Sequence, residues 1–429
     1  MKVIVKNKKI YRKAENINDS LKIMSVLEKH NYFKNKVVET CISTEEENTL
    51  EHKYISPIIH SGEYTTSMAY DVTKCALDMA IELIDDKIFS FDLLPHNFTY
   101  HNGEWLLYDF GSFETHPKNV KTQLRGTFKI TFSSFELLKK LDRKAIKHCF
   151  LNRINHFYLF KMISHKNWFL WCLTQYYCLL LYKLRLYKKS YLQLQKYFNK
   201  YEKAYKRETY NFTTTNQEKD LYKYIDEILN QNNIKTTFGL GEKSAQWASN
   251  SQNNSTKFIY LDNYDICDKY YNFIYKNNHK NISTAVIYPF MQDKEINENL
   301  TYRGIYDYFA KERYNAQAVV ILNSDELYLS KDFQVDKFAE HIAEFSTYLY
   351  FHAFAKENEQ DLAQKIKNEV EKYFNNVNLI EKNEKIILVA TSKKYPPKDY
   401  SNLKQYINNN RGPEAKQQSL EIINIINAQ

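Results

Sequence analysis

Two carboxylates and an amide stand close together in the first quarter of the chain. The run Asp92-Leu-Leu-Pro-His-Asn97 is followed twelve residues later by Asp109-Phe110-Gly111. One carboxylate at such a spacing can orient or deprotonate a hydroxyl. An amide and a second carboxylate supply hard oxygen ligands that suit Mg²⁺, which in turn neutralises phosphate charge. The chemistry implied is phosphoryl transfer, with Asp92 and Asn97 as catalytic candidates and Asn97 and Asp109 as metal ligands. The same three residues also suit a structural network fixing two turns.

The spacing resembles the D-x-x-x-x-N … D-F-G arrangement of kinase-type phosphotransfer sites. Upstream, Lys13 ends a strand-like run and precedes a helix-like one, which makes it the candidate phosphate-pairing lysine, with Glu28 its possible partner. No glycine-rich loop precedes Lys13, and Ser90-Phe91 occupies the place of the His-Arg pair that ordinarily precedes the catalytic Asp. This reading implies ATP and Mg²⁺. His96, inside the motif, reads as a turn histidine or a contact to an anionic substrate.

A second set of residues lies further along. Thr236-Thr-Phe-Gly239-Leu-Gly241-Glu-Lys-Ser244 holds two of only eight glycines in the chain. Glycine allows close backbone approach to a ligand and a tight turn into a helix. About twenty residues on, the next apolar run ends at Asp262, where a carboxylate suits a ribose diol. Gly239, Gly241 and Asp262 are therefore cofactor-binding candidates. Asp325 and Glu326 follow the fourth apolar run, where a general base would assist transfer to a hydroxyl; a solvated loop is the other reading. Arg303 and Arg313 precede that run as possible anion contacts.

These residues need elements to hold them. Lys2–Val5 and Lys9–Arg12 read as paired strands, Asn18–Phe33 as a helix, Lys36–Ser43 as a β-rich run, and Ala69–Ile84 as an amphipathic helix. Phe98–Tyr100 and Trp105–Tyr108 flank His101-Asn102-Gly103, where Asn-Gly signals a tight hairpin. Residues 120–210 read as helical, and the polar stretch Glu208–Gln217 as a linker. Helix Lys219–Asn230 then leads into seven apolar runs: Thr236–Gly241, Lys257–Asp262, Thr284–Pro289, Ala316–Leu322, Tyr348–His352, Val377–Ile380 and Lys385–Thr391. Helical patterns between the early runs indicate a doubly wound parallel sheet. Only four residues separate the last two runs, so they must form an antiparallel edge hairpin.

A seven-strand sheet with a terminal hairpin, a glycine loop and a following acid resembles the class I S-adenosylmethionine-dependent methyltransferase fold. Against that family's pattern, Gly239 replaces the acid at the end of the first strand, and Lys243 and Ala245 replace later glycines. Lys243 is compatible with a sulfonium only if it points away. The expected acid after the third strand is absent at Pro289-Phe290, with Asp293 slightly beyond.

The stretch Gly62–Glu114 resembles a segment of nodulation-protein-type class I methyltransferases, matched at Glu63, Met68, Asp92, Asn97, Asp109, Ser112, Phe113 and Glu114. That family has the same order of parts: this segment, a helical region, then a methyltransferase domain. The resemblance implies a transferase using S-adenosylmethionine on a hydroxyl of a glycan or glycan precursor. A phosphorylated small molecule is the other acceptor considered, a kinase-like phosphotransferase is the alternative function, and a non-catalytic binding protein is a third reading. The expected fold is α/β: a kinase-like α+β part over 1–118, a helical region and linker over 119–215, a Rossmann-like methyltransferase sheet over 216–396, and a polar tail over 397–429.

Composition narrows the class. An aromatic content of 15% rules out wholesale disorder, and 8 Gly with 7 Pro exclude collagen-like or low-complexity chains. Six cysteines without CxxC pairs exclude a disulfide scaffold or zinc ribbon and point to the cytoplasm. The amino terminus lacks the apolar run of a signal peptide, and no stretch reaches the 18 apolar residues of a spanning helix. The uncharged segment Asn167–Tyr182 reads as a buried or an interfacial helix. Residues 183–207 hold nine Lys or Arg and one Glu, within a net charge of +9. Such a segment is either a solvated face or a contact to an anionic membrane surface, peripheral at the inner face. No sequence-specific nucleic-acid partner is expected.

Overall fold

The computed structural model describes residues 3–6, 9–13, 17–31, 36–44, 49–53, 65–90, 98–107, 113–114, 183–204, 207–261, 263–286, 316–322, 335–357, 359–382 and 384–394, with 33, 177, 178, 180 and 181 besides. The chain forms two compact units, residues 1–56 with 394–429, and residues 57–393.

In the first unit, β1 (Val3–Lys6) and β2 (Lys9–Lys13) pair antiparallel, with Val3 opposite Arg12. Helix α1 (Ile17–Lys29) buries Ile23 and Leu27, one turn apart. Strands β3 (Thr40–Ile42) and β4 (Thr49–Lys53) complete an antiparallel sheet of order β1-β2-β4-β3. Lys13 closes β2 opposite Thr49.

The second unit begins with α2 (Thr66–Asp85), capped by the Thr65 hydroxyl, which accepts from the Met68 amide. Met68, Val72, Ala76, Met79 and Leu83 form its buried stripe at helical spacing. Strands β5 (Phe89–Ser90), β6 (Phe98–His101), β7 (Glu104–Leu107) and β8 (Phe113–Glu114) form two small ladders, β6 with β7 and β5 with β8. Asn102 and Gly103 both take positive φ, 53° and 84°, the combination that matches hairpin twist. Helix α3 (Tyr187–Ala204) packs on α2.

Helix α4 (Asn216–Gln231) starts at a full capping box, Thr215 with Glu218. Then follow β9 (Thr236–Leu240), α5 (Gly241–Asn250), β10 (Thr256–Leu261), α6 (Tyr264–Lys276), β11 (Ile282–Val286), β12 (Ala316–Leu322), α7 (Val335–Phe345), β13 (Ser346–Ala355), α8 (Gln360–Val370), β14 (Phe374–Lys382) and β15 (Lys385–Lys393). The strands form one seven-stranded sheet of order β11-β10-β9-β12-β13-β15-β14. Five strands are parallel, and β14 and β15 form the antiparallel edge hairpin that their short connection requires. The expected Rossmann-like α/β architecture is present, and each of the seven apolar runs supplies a strand.

Alternation divides the sheet faces. Thr237, Gly239, Lys257, Ile259, Val320 and Phe351 share one face by register. There Ser244 of α5 bonds the Val320 carbonyl, and Tyr224 of α4 meets Phe351 edge to face. The opposite face carries Phe238, Phe258, Tyr260, Tyr350 and His352, and Phe338 of α7 packs against His352. His352 is fully buried, and burial holds its imidazole well below its ordinary range. Among the described residues no helix is long and apolar enough to cross a membrane.

Candidate functional site

Strand β9 is the third of the seven strands, inside the sheet. Its neighbour on one side is β10, reached through α5, and on the other is β12, which joins from later in the chain. The chain therefore winds in opposite directions from β9. In open α/β sheets the ligand crevice lies beyond the carboxyl ends of the strands at that reversal. Leu240 pairs with Tyr260 and Ile321, which places the ends of β9, β10 and β12 side by side.

The two glycines do different work here. Gly239 sits inside β9, where an added Cβ would stand 2.5 Å from Ile259 Cδ1 and 3.2 Å from Ser244 Cβ. Its lack of a side chain lets α5 and β10 close on the strand. Gly241 is the first residue of α5, at φ +81°, with no described residue within 4 Å of the Cβ position. Among the described residues the backbone at Gly241 is thus open to approach, at the carboxyl end of β9. The strand passes into the helix without an intervening loop, and no side chain caps α5. Its first amides are donors available to an anionic or polar ligand group.

Lys243 turns to α4, bonding Glu218 Oε1 at 2.7 Å and Gln246 Oε1 at 3.2 Å. Burial would raise the Glu218 carboxyl, but the Lys243 and Thr215 bonds outweigh it and hold it below its ordinary range. The lysine charge is thereby neutralised by a partner on α4.

A strap over residues 207–215 borders α5. The Tyr210 hydroxyl donates to Glu242, in the first turn of α5. The Tyr210 amide donates to the Lys269 carbonyl, and Asn272 Nδ2 to the Glu208 carbonyl. Phe212 meets Tyr270 and Phe273 edge to face at 5.6 and 5.2 Å. The polar stretch Glu208–Gln217 is therefore docked along α6, and its last two residues begin α4. Sequence polarity concealed the strap; the aromatics Tyr210 and Phe212 were the signal for it.

On its far side α6 receives α2 and the β6–β7 hairpin. Asp268 accepts from the Ser67 amide and hydroxyl at 2.8 and 3.0 Å. Trp105 Nε1 donates to the Tyr271 hydroxyl at 3.0 Å, which donates to buried Asp71 at 2.8 Å. Arg207 holds the same Asp71 through both of its oxygens. Burial, with the Asp71 charge, pushes the Tyr271 phenol far up. Ser283 on β11 donates to the Tyr100 carbonyl at 3.2 Å. Helix α2 and the β6–β7 hairpin are thus fastened to α6 and β11 within one compact unit.

Asp92, Asn97, Asp109, Asp262, Asp325 and Glu326 lie outside the described residues, as do His96, Arg303 and Arg313. Their flanks are defined. Phe98 pairs with Leu107 and Ser90 with Phe113, so the chain stretches bearing Asp92, Asn97 and Asp109 connect one small ladder to the other. Leu261 ends β10, and Asn263 caps α6 by accepting from the Asp265 and Ile266 amides. Among the described residues no group of three or more His, Cys, Asp or Glu side chains could hold a metal.

No protein-family model matches the sequence, and no curated protein matches it significantly. Solved structures resemble part of the chain. A putative S-adenosylmethionine-dependent methyltransferase from Streptococcus mutans is 11% identical, with a TM-score of 0.29 over 42% of this chain and 50% of that one. WbdD is 12% identical, with a TM-score of 0.29 over 42% of this chain and 40% of that one. Magnesium protoporphyrin IX methyltransferase (ChlM) from Synechocystis PCC 6803 is 8% identical, with a TM-score of 0.28 over 42% and 90%. The chain spans half or less of the length of the first two.

Proposed function

We propose that this chain is a divergent class I methyltransferase-family transferase. It would take S-adenosylmethionine at the crevice above Gly241 and modify a hydroxyl of a glycan or glycan precursor. One observation carries the reading: the sheet reverses its winding at β9, and at that point the backbone turns into α5 through a glycine whose Cβ position meets no described residue.

Bound there, S-adenosylmethionine would supply an electrophilic methyl group on a sulfonium. The chain's own residues suit such a ligand. Gly241 leaves room against its backbone, and the uncapped amides of α5 offer donors. Lys243 is drawn off to Glu218, so its charge is paired. Asp262 is proposed to hold the ribose diol, and Asp325 or Glu326 to take the proton of the acceptor hydroxyl. The glycan acceptor rests on the resemblance of residues 62–114 to nodulation-type methyltransferases.

Calorimetric titration with S-adenosylmethionine and with its demethylated product tests the reading. Saturable binding that weakens at least tenfold in Gly241→Val and in Asp262→Ala supports it. Transfer of labelled methyl to a glycan acceptor would then identify the substrate. Absence of binding, together with a thermal shift by ATP and Mg²⁺ that Asp109→Asn abolishes, would overturn it and move the chemistry to residues 92–111.

A further inference from the structure

Residues 177–196 present an outward face that the core does not use. Tyr177, Leu180 and Leu184 follow one another at spacings of three and four, the stripe of one helix face. Cys178 and Leu181 lie on the other side and are buried. The chain then turns at Leu184-Arg185, with Arg185 at φ 62°, and the Leu186 amide bonds back to the Leu181 carbonyl. Helix α3 buries Ser190, Tyr191 and Leu194 and turns Lys189, Leu192 and Lys196 outward, again at spacings of three and four. Ser190 ties the two helical pieces together by donating to the Cys178 carbonyl at 2.8 Å. The face is therefore fixed by buried contacts behind it.

Its chemistry is unusual for a water-facing surface. Five of the ten large apolar side chains exposed among the described residues fall within these sixteen positions, 177–192, at 42–60% exposure. Lys183, Arg185, Lys189 and Lys196 are exposed among them, and no acid occurs between 183 and 201. Lys188 is pinned to Asp85. Exposed leucines alternating along the chain with exposed bases match an anionic bilayer interface, where acyl chains accept the leucines and headgroup phosphates accept the bases. A nucleic acid would use the bases and leave the leucines in water.

We infer that the outward face of residues 177–196 docks the protein on an anionic lipid surface. This goes beyond the proposed methyl transfer and does not depend on it.

Flotation of the full chain with vesicles tests the inference, using phosphatidylcholine alone and phosphatidylcholine with phosphatidylglycerol. Binding is expected to the anionic vesicles only, and to fall as salt shortens the screening length. Lys189→Gln and Lys196→Gln should each weaken it about fivefold. Leu184→Ser, Leu186→Ser and Leu192→Ser together should weaken it about tenfold or more, with the thermal midpoint unchanged. Failure to float with anionic vesicles overturns the inference, as does equal binding to neutral ones or variants that bind like the parent. A leucine variant that loses stability would assign the face to the protein's own interior. One that converts a dimer to a monomer by light scattering would assign it to a second copy. Either outcome also overturns it.

Discussion

Arg207 and Asp71, 136 residues apart in sequence, meet through two parallel bonds of 2.8 and 2.7 Å. The carboxylate is buried, and the Tyr271 hydroxyl gives it a third donor. Removing the guanidinium leaves a buried charge held by one phenol. Arg207→Ala should therefore cost about 3 kcal/mol, the lower end for a broken buried pair because Arg207 keeps some solvent contact. Arg207→Lys should recover less than half, since an ammonium cannot make the forked contact. Urea unfolding monitored by circular dichroism measures both.

Trp105 feeds the same network. Trp105→Phe deletes the donor to Tyr271 and should cost about 1–2 kcal/mol. Because Arg207 bonds Asp71 directly and Trp105 reaches it through Tyr271, the double variant should deviate from additivity by at least about 0.5 kcal/mol. Additive losses would mean that the hairpin and the strap are fastened independently.

The two glycines near the crevice should separate folding from binding. Gly239→Ala forces its Cβ into Ile259 and should destabilise by about 1–3 kcal/mol. Ile259→Val removes the Cδ1 atom in the way and should restore part of that loss. Gly241→Ala meets no described neighbour and should cost only about 1 kcal/mol, from its positive φ. On the proposed function, its larger effect should fall on S-adenosylmethionine affinity, read by calorimetric titration.

Lys257 is fully buried in β10, its ammonium bonded to the Asn253 and Ser255 carbonyls at 2.6 and 3.1 Å. Burial pulls its pKa down to about 8, against an opposing pull from Asp226. The unfolded chain binds the proton more tightly, so it carries more protons between about pH 8 and the ordinary lysine value. Stability should therefore rise with pH across that window, by about 3 kcal/mol in total. Below pH 8 both states are charged and the penalty is constant. Lys257→Met should flatten this rise in urea titrations at pH 7.5–10.5, and an unchanged slope would count against burial as the cause.

Much of the architecture is legible from local pattern. Val319, Val320 and Ile321 are buried on both faces of a parallel strand, so β12 appears as an apolar run, interrupted by Gln317 near its start, with its boundaries intact. The four residues Glu381–Glu384 dictate the edge hairpin by length. Boundaries blur where pairing, not hydrophobicity, extends a strand: β13 runs from Ser346 to Ala355, held at its ends by its neighbours' ladders. Long-range polar contacts leave no local trace. Nothing near Asp71 announces Arg207, and nothing in Gly239-Leu-Gly241 says which glycine serves packing, because Ile259 decides it from the adjacent strand. The docked strap was hidden for the same reason, since its partners, the Lys269 carbonyl and Asn272 side chain of α6 and Glu242 of α5, lie far along the chain.

The sheet order also constrains the sequence of assembly. Strand β15 sits between β13 and β14, although it leaves the ribosome after both. Until residues 385–393 emerge, β13 keeps an open edge and β14 has no ladder to join. The nascent sheet must therefore wait, with an exposed hydrogen-bonding rim, for its last strand to slip in beside it. A ribosome stalled shortly before Lys385 should release an aggregation-prone intermediate, whereas one stalled well past Lys393 should release a closed sheet.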